Sequence, residues 1–200
     1  GAHLNPGVSL AFAMRGDIWT MAADGGRATA LTAGPAYHFE PTWSPDGQYV
    51  AYTTWADSIG YLNRVRSDGM GQPQRLTPQQ GLWANPIYTP NGSRILATRN
   101  SARAFRTSAG GRGSSGGDLV WIPATGGEAT FIASGAGDAH FSQRDTSRIF
   151  AYNANRGLYS MRWDGTDIKQ ILRIAAGGAA VAGGGGGGRG GASWARFSPD

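Results

Sequence analysis

Residues 41–47 read Pro41-Thr42-Trp43-Ser44-Pro45-Asp46-Gly47, and this stretch decides the fold because it returns along the chain. It recurs at residues 86–92, in weaker form at residues 139–145, and finally at residues 195–200. The aromatic residues at its shared position are Trp43, Tyr88, Phe141 and Phe197, at intervals of 45, 53 and 56 residues. A repeat of this period predicts a protein built from copies of one structural unit.

Each copy of the turn introduces a similar series of short strands. Alternating apolar residues follow it, as in residues 49–52 and 148–152, which is typical of strands with one face on a core. A third strand then leads to a dipeptide suited to a tight hairpin, such as Asp68-Gly69 or Asp164-Gly165. Because a lone four-stranded sheet cannot bury both faces, the sequence predicts an all-β propeller whose four-stranded antiparallel blades stack around an axis.

The repeats assign the whole chain, residues 1–200, to a single propeller region. We predict one partial blade and three complete blades, two glycine-rich insertions, and the first strand of a further blade. The partial blade is residues 8–32, and the complete blades are residues 38–77, 83–133 and 137–173. The insertions are residues 100–117 and 175–192, and the strand of the further blade is residues 193–200. The repeat aromatics are expected in the cores between blades.

The two ends of the chain leave two arrangements open. The chain is predicted to begin on the second strand of a blade and to stop inside a turn at Asp200. In the first arrangement, residues 193–197 pair with residues 8–14, so that one blade is split between the termini and four blades close a ring. In the second, the chain is part of a larger ring of six to eight blades. The incomplete turn at Asp200 favours the second arrangement. Open strand edges would then be covered by the remainder of the polypeptide or by a partner chain.

Composition removes several classes of function. The chain has no cysteine, which excludes disulfides, thiolate zinc sites and cysteine nucleophiles, and no apolar run is long enough to cross a membrane. The histidines are far apart in sequence, so neither a metal site nor a catalytic site is predicted within this chain. The net charge of +5 and the arginines around Phe105 suggest a solvated loop more than a nucleic-acid site; these are Arg99, Arg103, Arg106 and Arg112.

One constellation of polar residues is a candidate binding site. Glu40, Asn85 and Asp138 each lie three residues before the repeat aromatic, so the fold would place them at equivalent positions near the central channel. His140 and Arg196 share a neighbouring position. Such a ring of polar groups could bind a cation or a polar ligand, although polar strand ends that only satisfy backbone groups are the more frequent explanation.

These motifs together resemble the TolB-like, WD40-like propeller repeat, over nearly the whole chain. Within that family, residues 117–130 and 157–167 resemble bacterial propellers that precede a metal-dependent amidohydrolase domain. Related propellers occur in TolB itself, in tricorn-type proteases and in prolyl-oligopeptidase-like peptidases. There they bind partners or restrict access to a catalytic domain.

The resemblance implies a non-catalytic propeller domain of a larger hydrolase, with an amidohydrolase as the leading expectation. Any cofactor such as zinc would belong to that further domain. The alternatives are a stand-alone periplasmic propeller of TolB type that binds a protein partner, and a gating propeller of a prolyl-oligopeptidase-like or tricorn-like protease. A periplasmic or secreted location is expected, while the cytoplasm stays open.

Overall fold

The computed structural model describes residues 2–4, 9–57, 59–100, 117–142, 144–153 and 156–173. In this part of the chain the strands form four antiparallel four-stranded sheets, each a meander of consecutive strands. Blades 1 and 2 comprise β1 (Ala2–Leu4), β2 (Ser9–Met14), β3 (Asp17–Ala22) and β4 (Thr29–Ala30), then β5 (Tyr37–Trp43), β6 (Tyr49–Ala56), β7 (Ile59–Arg66) and β8 (Gln74–Arg75). Blades 3 and 4 comprise β9 (Leu82–Tyr88), β10 (Arg94–Asn100), β11 (Asp118–Pro123) and β12 (Thr130–Ser134), then β13 (Gly137–Phe141), β14 (Arg148–Asn153), β15 (Gly157–Arg162) and β16 (Lys169–Leu172). The predicted all-β propeller class is confirmed.

The Ser-Pro-Asp-Gly turn between β5 and β6 is held by its own side chains. Ser44 Oγ donates a hydrogen bond to Asp46 Oδ1 at 2.5 Å and accepts the backbone N–H of Tyr49 at 2.9 Å. Gly47 adopts a φ of 71°, which glycine reaches without steric cost. The repeated motif is therefore a local requirement of the turn, because short polar side chains supply hydrogen-bond partners to its backbone.

Adjacent blades pack face to face and bury the apolar residues of their middle strands. Each of the three interfaces has its own core cluster, whose members include Ile18, Val50 and Tyr52 between blades 1 and 2; Leu62, Ile95 and Val120 between blades 2 and 3; and Leu119, Ile149 and Met161 between blades 3 and 4. Burial of one such side chain contributes about 1.5–3 kcal/mol. The interfaces therefore dominate the stability of the stack.

The repeat aromatics lie in these interfaces, as predicted. Trp43 and Tyr88 are buried members of two clusters, and Phe141 packs against the third. The Leu-Thr ends of two blades also have a clear role: Thr32 Oγ1 accepts the backbone N–H of β3 and Thr77 Oγ1 that of β7, at 2.9 and 3.1 Å. These threonines therefore join the fourth strand to the third.

The first blade differs from its prediction. β1 pairs with β2, and Leu4 lies opposite Leu10 as Trp43 lies opposite Val50 in blade 2. The expectation that the chain begins on the second strand of a blade is therefore wrong. The motif was not recognisable because leucine stands at the aromatic position and residues 5–7 read Asn-Pro-Gly.

This pairing also removes the blade split between the termini. The inner edge of β2 is taken by β1, so the closure in which residues 193–197 pair with residues 8–14 is not available. Blade 1 accordingly starts upstream of the predicted residues 8–32. Residues 101–116 and 175–192 of the two insertions lie outside the described residues, as do residues 193–200, so their assignments stay predictions.

Candidate functional site

Glu40, Asn85 and Asp138 occupy one structural position on the innermost strands of three successive blades. Their φ angles of 51°, 50° and 50° lie in the left-handed region, which few residues other than glycine adopt. At each of them the pairing of the innermost strand with its neighbour shifts register. The sequence spacing therefore identified equivalent residues correctly. It did not predict the β-bulge at which they lie.

Neighbouring members of this set are joined by a hydrogen bond between blades. Glu40 Oε2 accepts the backbone N–H of Asn85 at 2.7 Å. A carboxylate that accepts a backbone hydrogen bond from the next blade has a structural role. This is the more frequent explanation for polar groups at strand ends. For Glu40 the geometry therefore supports a clamp between blades 2 and 3, and a binding role for this set stays a prediction.

The other candidates at this position are placed less fully. His140 Nδ1 lies 2.8 Å from the carbonyl oxygen of Asp138, and its ring stacks on Phe150 with centroids 6.1 Å apart. These contacts fix the imidazole against its own blade. Arg196 lies outside the described residues, so its predicted position beside His140 stays a prediction.

A second polar cluster, missed by sequence reasoning, links blade 1 to blade 2. The buried His38 Nδ1 lies 3.1 Å from Asp17 Oδ1, 2.9 Å from the carbonyl oxygen of Gly16 and 3.3 Å from Thr32 Oγ1. The composition suggests a hydrolytic triad, but in such a triad the nucleophile and the acid contact different ring nitrogens. Here the three polar contacts all fall on Nδ1, so among the described residues they do not form that arrangement, and the cluster joins blade 1 to blade 2.

A charged groove of about 590 Å³ lies beside the outer turn of blade 4. Asp167 accepts a hydrogen bond from Arg148 Nη1 at 2.7 Å, which lowers the pKa of this carboxyl group, and Arg162 and Lys169 lie within 3.7 Å of it. Two further aspartates, Asp145 and Asp164, balance the cations along the walls. Because three carboxylates match three cations, the described lining of the groove has no net charge to favour one sign of ion.

The described residues lack two other kinds of site. Their histidine, aspartate and glutamate side chains form no group of three that could hold a metal ion. Within the same part of the chain, no helix has the length and apolar character needed to span a membrane.

Comparison with known proteins gives the wider context. No protein-family profile matches the chain. A putative tricorn protease homologue of Streptomyces coelicolor is 34% identical over an alignment of 111 positions, and the match covers 52% of this chain and 9% of that protein. TolB from Acinetobacter baumannii has a similar structure, with a TM-score of 0.63 and 20% identity over 82% of this chain and 40% of TolB.

The chain has the TolB-like propeller fold. A puromycin-hydrolyzing peptidase from Mycobacterium tuberculosis also has a similar structure, with a TM-score of 0.63 and 13% identity over 83% of this chain and 28% of the peptidase. The TolB-like chain therefore spans less than half the length of each of these three proteins.

Proposed function

We propose that this TolB-like propeller is a non-catalytic domain of a larger hydrolase, and that the hydrolase is a peptidase. In this role the blades restrict which substrates reach a separate catalytic domain. The sequence similarity to a tricorn protease homologue, at 34% identity over 52% of this chain, supports the peptidase class. The fold shared with a puromycin-hydrolyzing peptidase supports it as well.

The observation that carries the proposal is the outer face of blade 4. Leu31, Leu76 and Ile132 are equivalent residues that each pack against the following blade, with exposed fractions of 9%, 1% and 8%. Their counterpart in blade 4, Ile171, is 46% exposed. A blade face built for burial calls for a further packed element, which a longer polypeptide would supply.

Two alternatives keep specific support. The sequence motifs at residues 117–130 and 157–167 favour an amidohydrolase as the catalytic domain, and zinc would then belong to that separate domain. The TolB likeness favours a binding protein that consists of the propeller alone, in the periplasm or outside the cell. Both give results in the same experiment that differ from those expected of a peptidase.

The experiment compares the 200-residue chain with the complete natural polypeptide. Both are incubated with peptides of increasing length and with simple amide substrates, with and without a metal chelator. We expect the complete protein to cleave short peptides faster than long ones in the presence of chelator, while the chain alone is inactive. Chelator-sensitive amide hydrolysis would instead identify an amidohydrolase. Absence of any hydrolysis would identify a binding propeller, and turnover by the chain alone would contradict its non-catalytic role.

A further inference from the structure

The β9–β10 turn of blade 3 carries asparagine where the corresponding turns of blades 2 and 4 carry aspartate. Asn91 precedes Gly92, and its counterparts are Asp46 in blade 2 and Asp145 in blade 4. Each of these three polar residues comes three residues before the second strand of its blade begins. Blade 3 therefore has an amide in a turn that two neighbouring blades build with a carboxylate.

The side-chain oxygen of Asn91 accepts the same kinds of hydrogen bond as those carboxylates. Asn91 Oδ1 accepts the hydroxyl groups of Thr89 and Ser93, both at 2.8 Å, and the backbone N–H of Ser93 at 3.1 Å. Asp46 Oδ1 likewise accepts a hydroxyl group at 2.5 Å and a backbone N–H at 3.0 Å. These bonds lower the pKa of Asp46, because they stabilise its ionised form. The turn thus offers donors that suit a negative charge.

An asparagine that precedes glycine is susceptible to deamidation, because glycine has no side chain to hinder attack by its own backbone nitrogen. The nitrogen of Gly92 would bond to Cγ of Asn91, and the Cγ–Nδ2 bond would break. Nδ2 leaves as ammonia with the proton of the Gly92 N–H. Solvent water then opens the five-membered succinimide ring. Its addition to the side-chain carbonyl gives aspartate, and its addition to the main-chain carbonyl gives isoaspartate, whose backbone runs through Cγ.

The closed turn keeps both reacting groups out of position. The N–H of Gly92 donates to the carbonyl oxygen of Thr89 at 2.8 Å, so its proton is held within the turn. The three donors to Oδ1 fix the amide group of Asn91 at the same time. Attack on Cγ requires both sets of hydrogen bonds to break. Ring closure therefore has to wait for a local opening of the turn.

We propose that Asn91 is a deamidation site that the closed β9–β10 turn protects, and that its aspartate product restores this turn. The new carboxylate would accept the same three donors and would make the turn resemble that of blade 2. Isoaspartate would not restore it, because the extra backbone atom displaces the carboxylate from the N–H of Ser93. This modification concerns the propeller itself and goes beyond the function proposed above.

The test compares deamidation of the folded 200-residue chain with that of the blocked peptide Thr-Pro-Asn-Gly-Ser-Arg, which has the sequence of residues 89–94. Peptide mapping by mass spectrometry measures asparagine, aspartate and isoaspartate at position 91 over time. We expect the folded chain to react at least about tenfold more slowly than the peptide, since only its minor open state reacts. The chain unfolded in urea should react as the peptide does. Equal rates in the folded chain and the peptide would overturn the proposed protection.

Two variants separate opening of this turn from a general loss of stability. Thr89→Ala removes one donor to Asn91 Oδ1 and should speed deamidation of the folded chain by about two- to tenfold, the effect of one lost hydrogen bond. Ser44→Ala, the matched control, weakens the equivalent turn of blade 2 and should leave the rate at Asn91 unchanged. An equal rate in both variants would show that the reaction does not depend on this turn.

The product is tested by substitution. Asn91→Asp should melt at the same temperature as the unaltered chain or higher at neutral pH, because a carboxylate forms stronger hydrogen bonds with the same donors. Asn91→Ala, which leaves these donors without their acceptor, should melt at a lower temperature. A decrease in the melting temperature of Asn91→Asp would contradict the inference that aspartate restores the turn.

Discussion

At the scale of single residues, Glu40 shows how a strained backbone is kept in place. A non-glycine residue in the left-handed region costs about 1–2 kcal/mol, and Glu40 has a φ of 51°. Its carboxylate accepts the N–H of Asn85 in the next blade at 2.7 Å, and because this hydrogen bond is exposed to solvent it contributes about 0.5–1.5 kcal/mol. The contact between blades therefore offsets part of the local strain.

Glu40→Ala should lower the free energy of unfolding by about 0.5–1.5 kcal/mol, because the exposed N–H of Asn85 exchanges the carboxylate for water while the strain remains. Glu40→Gln keeps an oxygen acceptor and should lose less. Urea unfolding followed by circular dichroism measures both changes. An alanine variant as stable as the unaltered chain would show that the bond between blades contributes nothing.

Residue equivalence was predictable from the sequence, whereas the contacts were not. The spacing to the repeat aromatic placed Glu40, Asn85 and Asp138 at one position, because a repeat fixes register whatever the residue type. None of the three residues is a glycine, so nothing in the sequence indicated the positive φ or the bulge at that position. Arg64 in blade 2 and Trp121 in blade 3 each donate a side-chain hydrogen bond to a main-chain carbonyl of the next blade. This shared role could not be predicted from the sequence, because arginine and tryptophan are chemically different residues.

At the scale of elements, the glycines of the outer turns show how closely blades dock. Gly25, Gly69, Gly126 and Gly165 are equivalent, and all have positive φ. A Cβ at Gly165 would lie 2.5 Å from the carbonyl oxygen of Ile132 in blade 3, while a Cβ at Gly25 would have no atom within 4 Å. Blade 1 has no preceding blade among the described residues, which explains the difference.

Gly165→Ala should therefore be clearly more destabilising than Gly25→Ala. Both variants carry the left-handed strain of about 1 kcal/mol, but only the first forces a backbone carbonyl to move. Thermal unfolding of the two variants side by side gives the comparison. Equal melting temperatures would mean that the outer turn of blade 4 is not packed on blade 3.

Turns were the elements most accessible to sequence reasoning, and the first strand was the least. Thr89 and Asn91 replace serine and aspartate in the β9–β10 turn, yet they make the same side-chain hydrogen bond, at 2.8 Å. A hydroxyl two residues before a side-chain oxygen acceptor is thus enough to recognise the motif. β1 has neither the aromatic nor this pair, and its three residues carry too little pattern to identify a strand.

At the scale of the whole molecule, buried tyrosines link folding to alkaline pH. Burial raises the pKa of Tyr52 and of Tyr88 to about 12, from an ordinary value of 10.0. Because the unfolded chain releases these protons first, their contribution to stability is complete below pH 10 and is lost as the pH rises through about 12. Unfolding should therefore set in over this interval.

Tyrosinate absorbance and circular dichroism recorded on one sample would check this order of events. Tyr52→Phe and Tyr88→Phe should each shift the alkaline midpoint upward, while Tyr37→Phe, at an exposed site, should leave it unchanged. Ionisation of all tyrosines near pH 10 with the sheets intact would contradict the expected coupling.

The exposed face of blade 4 gives a test of how far the stack extends. Leu76 and Ile171 are equivalent aliphatic residues with exposed fractions of 1% and 46%. Leu76→Ala should cost about 2–5 kcal/mol as a core truncation, whereas Ile171→Ala in the 200-residue chain should cost less than about 1 kcal/mol. In the complete polypeptide a further blade would bury Ile171, and the two truncations should then become similar. A cost at Ile171 that stays small in the complete protein would mean that this face is open to solvent or to a separate partner.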